Sequence, residues 1–260
     1  QKAEHTVSIV IPQKGEQMGL VKMCAFNAAE HLAKLEQKTT FETAALDELA
    51  RLLSLSAPPV YIEAYDISHT MGNENVAGMT VFENGRPLKS AYKRFRIKSF
   101  AGQDDYRSMA EVLDRRFTEY ENALEKGESD GFGRLPDLIL LDGGQGQLSA
   151  VLPVMQRHNL NIPMFGMVKD SKHRTRAITA GGGDISIRAN HRAYTLVATI
   201  QEETHRYAIT YHRNSSRKKG LTAELSLIEG MGEKRIKLLL KTFKSIDAIK
   251  SASPEDIKKS

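Results

Sequence analysis

Leu138-Ile139-Leu140-Leu141-Asp142-Gly143-Gly144-Gln145-Gly146-Gln147 joins an unbroken aliphatic run to an acid and a glycine-rich turn. A short apolar run bounded by turn residues reads as a strand buried on both faces, the kind found in the parallel part of an α/β sheet. Its acid then stands at the carboxyl rim of the sheet, where open α/β folds hold their ligands. A second run, Val60-Tyr61-Ile62-Glu63-Ala64-Tyr65-Asp66, also ends in an acid. Two carboxylates at one rim are hard oxygen donors and suggest a metal site.

The pattern on either side of Asp66 extends the sheet. Strands are expected at 60–66, 76–83 and 87–97, with Asn84-Gly85 as a hairpin turn between the last two, because Asn-Gly supplies the positive φ angles such turns need. A helix follows over 106–126, with Met109, Val112, Leu113, Phe117, Tyr120 and Leu124 on one face. After the strand at Leu138 come a helix over 147–157, a strand over 164–168, a hairpin through Gly181-Gly182-Gly183 and a long helix over 193–212. Three antiparallel strands followed by β-α-β units form the order of a ribonuclease H-like fold. The fold class is therefore α/β, a ribonuclease H-like mixed sheet with flanking helices. That fold sets acids on its first and fourth strands and a third ligand on its last helix.

The amino-terminal stretch reads as a lead-in: a short strand over 6–12, a helix over 15–38, and a second helix over 40–53 capped by Thr39 or Thr40 and closed by Ala57-Pro58-Pro59. The start at Gln1 without a methionine suggests an excised segment. Four divisions are expected: 1–56 as lead-in, 57–214 as the α/β domain, 215–222 as a linker rich in Ser, Arg, Lys and Gly, and 223–260 as a small all-α tail.

Composition bounds the rest. With 260 residues, 40% of them hydrophobic and 27% charged, the chain can bury a sizeable core. No stretch approaches the roughly 18 apolar residues of a membrane span, and there is no signal-peptide pattern, so no membrane partner is expected and the chain reads as cytoplasmic. The one cysteine, Cys24, can form neither an internal disulfide nor a cysteine zinc site, and its setting reads as a helical core position. The net charge of +5 is concentrated in His205-Arg206, His212-Arg213, Arg217-Lys218-Lys219 and the tail. Clustered Lys and Arg favour nucleic acid, because neutralised phosphates release counterions.

Four motifs together permit a family. Tyr65-Asp66-Ile67-Ser68-His69-Thr70, Gln103-Asp104-Asp105-Tyr106-Arg107-Ser108-Met109, Pro136 to Gly144 with Gly146-Gln147, and Glu203-Thr204-His205-Arg206-Tyr207 through His212-Arg213 resemble the carboxy-terminal half of the UvrC family, the nuclease subunit of the bacterial excinuclease. The resemblance covers about 60–213 and continues into the tail. It implies a DNA endonuclease of nucleotide excision repair that cuts 5′ of a lesion with Mg²⁺ or Mn²⁺. The implied partners are damaged double-stranded DNA and UvrB, the latter through a region absent from this chain.

By the same resemblance Asp66, Asp142 and His205 form the catalytic and metal-binding set, with Asp105 important for incision. Carboxylates suit Mg²⁺ or Mn²⁺, and a histidine can ligate metal or move a proton near neutral pH. Asp104 reads as a helix cap. His212, seven residues after His205, is the second candidate for third ligand or a phosphate contact, and His69 reads as a loop histidine. Lys169, His173 and Arg174 follow a strand end on the same rim and are candidate DNA contacts, as are Arg206, His212 and Arg213. The family helix reads Arg-Asp-Glu-Ala-His where this chain has Gln201-Glu202-Glu203-Thr204-His205, which implies weaker DNA contact at Gln201.

In the tail, Leu227-Ile228-Glu229-Gly230-Met231-Gly232-Glu233-Lys234-Arg235 reads as the turn of a helix-hairpin-helix motif. Gly230 and Gly232 let backbone N–H groups approach a phosphate, with Lys234 and Arg235 beside them. Ser253-Pro254-Glu255-Asp256 begins a second such motif, and the chain stops before its glycine turn. Two other readings remain open: an endonuclease V-like nuclease, which shares the sheet but not the tail, and a catalytically silent DNA-binding scaffold.

Overall fold

The computed structural model describes residues 12, 14–69, 75–99, 104–169, 175–180, 183–187, 189–226, 228, 231–243 and 246–259. The strand expected over 6–12 falls almost wholly outside them. In chain order the elements are α1 (Glu16–Leu52), β1 (Tyr61–His69), β2 (Asn75–Glu83), β3 (Arg86–Pro87), β4 (Lys93–Arg96), α2 (Asp105–Glu125), β5 (Leu138–Leu141), α3 (Gln145–Arg157), β6 (Met164–Lys169), β7 (Thr175–Ala180), β8 (Gly183–Ser186), α4 (His191–Ser226), α5 (Glu233–Phe243), α6 (Ile246–Ser251) and α7 (Pro254–Lys259).

The strands form one mixed sheet in the order β3-β2-β1-β5-β6-β7-β8, with β4 also paired to β2. β1 runs antiparallel to β2 and parallel to β5, and β5 runs parallel to β6. This is the expected ribonuclease H-like arrangement, extended by the β7–β8 hairpin. Asn84 and Gly85 both take positive φ, 52° and 76°, as the hairpin turn requires.

Alternation along β1 and β5 separates two cores. Tyr61, Tyr65, Ile139 and Leu141 face Met109, Val112, Leu113 and Phe117 of α2 and Leu148 and Val151 of α3. Ile62, Ala64, Leu138 and Leu140 face Leu46 and Leu49 of α1 and Leu196, Val197 and Ile200 of α4. Burial on both faces explains why β5 is apolar throughout.

Four sequence expectations need correction. The lead-in helices are one continuous α1, because the Thr39 and Thr40 hydroxyls donate back to the carbonyls of Leu35 and Glu36 at 2.9 Å and so cap nothing. Cys24 is exposed, together with Leu20, Met23 and Phe26 on the same half of α1; only the later half, at Ala45, Leu46 and Leu49, reaches the core. The strand expected over 87–97 is split into β3 and β4, with a 3-10 turn at Lys89–Ala91 looping out the residues that β2 has no partners for. The stretch 215–222 is helical backbone within α4.

At its amino end α4 is capped from another element, since Glu48 Oε2 of α1 accepts from the Ala193 N–H at 2.9 Å. One buried ion pair ties α2 to the sheet. Arg116 donates to Glu63 Oε1 and to the carbonyls of Phe132 and Arg134, while the Tyr65 hydroxyl donates to Glu63 Oε2 at 2.5 Å. Both side chains are fully buried.

Candidate metal centre

The two acids are set side by side by strand register. Tyr65 of β1 pairs with Leu141 of β5, and the Asp142 N–H donates to the Tyr65 carbonyl at 2.8 Å. The next residue on each strand is an aspartate. In a parallel pair, neighbouring residues project from the same face, so both carboxylates lie on the side covered by α4. Asp66 is not the last residue of β1, which runs on to His69; the rim is set by the end of β5.

Glycine is needed where the loop after β5 turns over β6. A side-chain carbon on Gly166 would lie 2.3 Å from the Gly143 carbonyl oxygen, and one on Gly143 would overlap the Gln147 amide. Gly146 lets Tyr106, at the start of α2, pack on the start of α3. These close approaches hold Asp142 against the end of its strand.

His205 reaches the acids from α4. Its Nδ1 is 2.8 Å from Asp66 Oδ2 and 3.9 Å from Asp142 Oδ2. The Asp66 and Asp142 side chains are only 9% and 5% exposed, whereas the imidazole is half exposed. Burial pushes the Asp66 carboxyl above the usual carboxylate range, the hydrogen bond to His205 opposes the rise, and the Asp142 charge adds to it. The hydrogen bond to Asp66 raises the His205 imidazole above its ordinary value, against the effect of burial.

Two further side chains hold Asp142. Lys169, the last residue of β6, donates to Oδ2 at 2.6 Å, and Gln201 Nε2 donates to Oδ1 at 2.7 Å. Gln201 has its amide orientation set by Thr175, whose hydroxyl donates to Oε1 at 2.5 Å, and by the Met167 carbonyl, which accepts from Nε2. The resemblance implied a weakened DNA contact at Gln201; in the structure this side chain is buried and faces the acid. Its position one turn before His205 places it on the same helix face, and that spacing was the signal available in the sequence. Nothing in the sequence marked Thr175 or the buried pair Thr80–Thr204, whose hydroxyls are 2.6 Å apart beneath α4.

The other candidates are placed as follows. Asp104 caps α2, accepting from the Arg107 N–H at 3.0 Å. Asp105 opens α2 and stands outside the group formed by Asp66, Asp142 and His205. Arg206 is exposed and makes a two-point ion pair with Glu203. His212 and Arg213 lie on α4, but their side chains, like that of His69 and all of His173 and Arg174, are outside the described residues. Gly230 is outside them too, whereas Gly232 precedes α5 with no atom of the described residues within 4 Å of where a side-chain carbon would stand, and Lys234 and Arg235 are exposed beyond it. The Ser253 hydroxyl accepts from the Asp256 N–H and caps α7. A cleft of about 470 Å³ beside the acids is lined by Lys169, Thr175, Tyr194, Ala198, Gln201, Glu202 and His205.

The donor set fits a divalent cation. One ligand atom each from Asp66, Asp142 and His205 lies within 4.8 Å of the other two. Metal–oxygen bonds of roughly 2.1 Å place neighbouring ligand atoms about 3 Å apart and opposite ones about 4 Å apart. The separations of 2.8 and 3.9 Å at His205 Nδ1 fall in that range. No helix among the described residues is long and apolar enough to cross a membrane.

Comparison with known proteins gives the family. Residues 50–209 match the family described as the UvrC RNAse H endonuclease domain. The chain is 46% identical, over all of its length, to UvrABC system protein C of Thermoanaerobacter pseudethanolicus, and spans 43% of that protein. It is 44% identical over 98% of its length to the protein of the same name from Clostridioides difficile, and spans 41% of it. The chain thus covers less than half of these relatives. Among solved structures, the catalytic domain of human Endonuclease V is similar over 73% of this chain and 97% of that one, at 12% identity and a TM-score of 0.39.

Proposed function

Because this chain belongs to the UvrC ribonuclease H endonuclease domain family, we propose that it is the metal-dependent endonuclease domain of a nucleotide excision repair excinuclease. In this reading it hydrolyses a phosphodiester on the 5′ side of a lesion in double-stranded DNA, leaving a 5′-phosphate and a 3′-hydroxyl. The observation that carries the proposal is the convergence of Asp66, Asp142 and His205 at the rim of the sheet. These three would hold Mg²⁺ or Mn²⁺, which supplies Lewis-acid activation of the scissile phosphate and of the attacking water.

The chain's own residues do the positioning. Gln201 and Lys169 fix the Asp142 carboxylate, and the Asp66 carboxylate is held by His205 Nδ1. The buried seats of both acids keep water from competing for their oxygens. The half-exposed His205 and the cleft beside it are open to solvent, and in this reading they would receive the strand to be cut. Lys169, His173, Arg174, Arg206, His212 and Arg213 would meet the DNA backbone. We assign 57–214 to the nuclease domain and 223–260 to a partial helix-hairpin-helix module, with Gly230, Gly232, Lys234 and Arg235 as its phosphate contacts. UvrB is the proposed protein partner of the longer protein.

The test is a nicking assay on lesion-containing and intact duplexes with Mg²⁺ or Mn²⁺, with and without UvrB. Incision 5′ of the lesion that disappears in Asp66→Asn and Asp142→Asn, with folding and DNA affinity kept, is the expected result. Equal activity in either variant overturns the site. Metal-dependent cutting at deaminated bases without UvrB would favour an endonuclease V-like enzyme, and DNA binding without cutting under every condition a silent scaffold.

A further inference from the structure

Both carboxylate oxygens of Asp142 are taken by protein donors: Gln201 Nε2 holds Oδ1 and Lys169 Nζ holds Oδ2. Gln201 is buried and locked by Thr175 and the Met167 carbonyl, so Oδ1 is committed to it. Lys169 is held differently. It ends β6 at a bulge between Val168 and Lys169, its side chain is 26% exposed, and its ammonium sits on a flexible four-carbon stem. Asp142 Oδ2, the oxygen Lys169 holds, is also the one 3.9 Å from His205 Nδ1.

Two nearly buried carboxylates on adjacent strands repel each other unless a positive charge lies between them. We propose that Lys169 is a resident counter-cation: it holds Asp142 in its ligand rotamer in the cation-free protein, competes with the divalent cation for Asp142 Oδ2, and when displaced presents its ammonium to the DNA phosphate at the cut. This inference rests on the nuclease reading above. A divalent cation and an ammonium cannot share one oxygen at contact distance without strong repulsion, so loading exchanges one for the other. The displaced ammonium is tethered at the end of β6, on the edge of the cleft lined by Lys169, Gln201, Glu202 and His205. An ordinary surface ion pair, by contrast, would leave cation affinity unchanged.

The experiment measures Mn²⁺ affinity from the electron paramagnetic resonance signal of the free ion, at low salt and fixed pH, for the whole chain and for Lys169→Met, Lys169→Gln and Asp142→Asn, with circular dichroism to verify folding. Both lysine variants should bind Mn²⁺ roughly ten- to a hundredfold more tightly, while their single-turnover nicking at saturating Mn²⁺ falls at least about tenfold. Asp142→Asn should lose the ion. Unchanged or weaker Mn²⁺ binding in both lysine variants, with binding lost in Asp142→Asn, would overturn the counter-cation and leave the nuclease site standing. Wild-type Mn²⁺ affinity in Asp142→Asn would instead sink the site itself, and the counter-cation with it.

Discussion

Gly78 lies directly beneath Ala208: a side-chain carbon on the glycine would come within 3.2 Å of the Cα, Cβ and N of the alanine. Gly78 is also the register partner of Asp66 across β1 and β2, and Ala208 is one turn beyond His205 on α4. The missing side chain beside the acid therefore sets how closely α4 approaches the sheet, and with it the 2.8 Å contact of His205 with Asp66. Gly78→Ala should lower single-turnover nicking by roughly ten- to a hundredfold while costing about 1–3 kcal/mol of stability. Adding Ala208→Gly removes only the Cβ contact and leaves the Cα and N at 3.2 Å, so the double variant should regain little of the rate. Wild-type nicking in Gly78→Ala would show that the contact does not position the histidine.

His205 and His212 can be told apart along the helix. Seven residues at 1.5 Å each separate them by about 10 Å, too far for both to meet one ion held by Asp66 and Asp142. His205→Ala should abolish nicking and Mn²⁺ binding, and His212→Ala should only slow the reaction. The opposite pattern in paired assays would move the third ligand to His212.

The buried pair of Glu63 and Arg116 lies on the sheet face away from the acids and has no part in the proposed chemistry. Arg116→Met leaves a carboxylate buried without its cation, so urea unfolding should register a loss of about 3–5 kcal/mol. Mn²⁺ affinity of the folded variant should not change. A loss below about 1 kcal/mol would mean that the pair is far better solvated than its full burial implies.

His158 ends α3 with Nδ1 2.8 Å from Glu121 and Nε2 3.0 Å from Asp114, whose carboxylate also accepts from Arg157. Burial works to lower its pKa, but the two carboxylate hydrogen bonds outweigh that and raise it above the ordinary histidine value. The imidazolium also complements the carboxyl end of the helix. Because the folded value is the higher one, the stabilisation is fully present below the unfolded histidine pKa and is lost as pH rises through the raised value. Urea titrations of the wild type and His158→Asn should differ more at pH 6 than at pH 9, by up to about 1 kcal/mol. A difference that grows with pH would reverse the assignment.

In the tail, no atom of the described residues lies within 4 Å of where a side-chain carbon on Gly232 would stand. Gly232→Val thus meets no obstacle among the described residues, and its effect reads what approaches this turn from outside. Affinity for duplex DNA should fall severalfold across a salt titration with nuclease-site Mn²⁺ binding intact. Unchanged DNA affinity would remove Gly232 from the phosphate contacts.

Local chemistry made much of this protein legible before folding was considered. The aliphatic run of β5, the Asn84-Gly85 turn and the first three turns of the apolar stripe of α2 each depend on neighbours a few residues away and appear where the sequence placed them. Leu124, expected on the same stripe, is instead exposed, because α2 runs past the core there. The three proposed ligands were named from motifs, and the fold brings them together. What tertiary structure alone decided are relationships between residues far apart in the chain. The Tyr65–Leu141 register sets two acids side by side, Glu48 caps a helix that begins at His191, and Gly78 gives α4 its depth. Lys169 was expected to meet DNA and Gln201 to mark a weakened contact with it, because a basic or polar residue near a rim shows its charge in sequence but not its partner. Asp142 draws both inward, since a buried carboxylate takes whatever donors packing brings within reach.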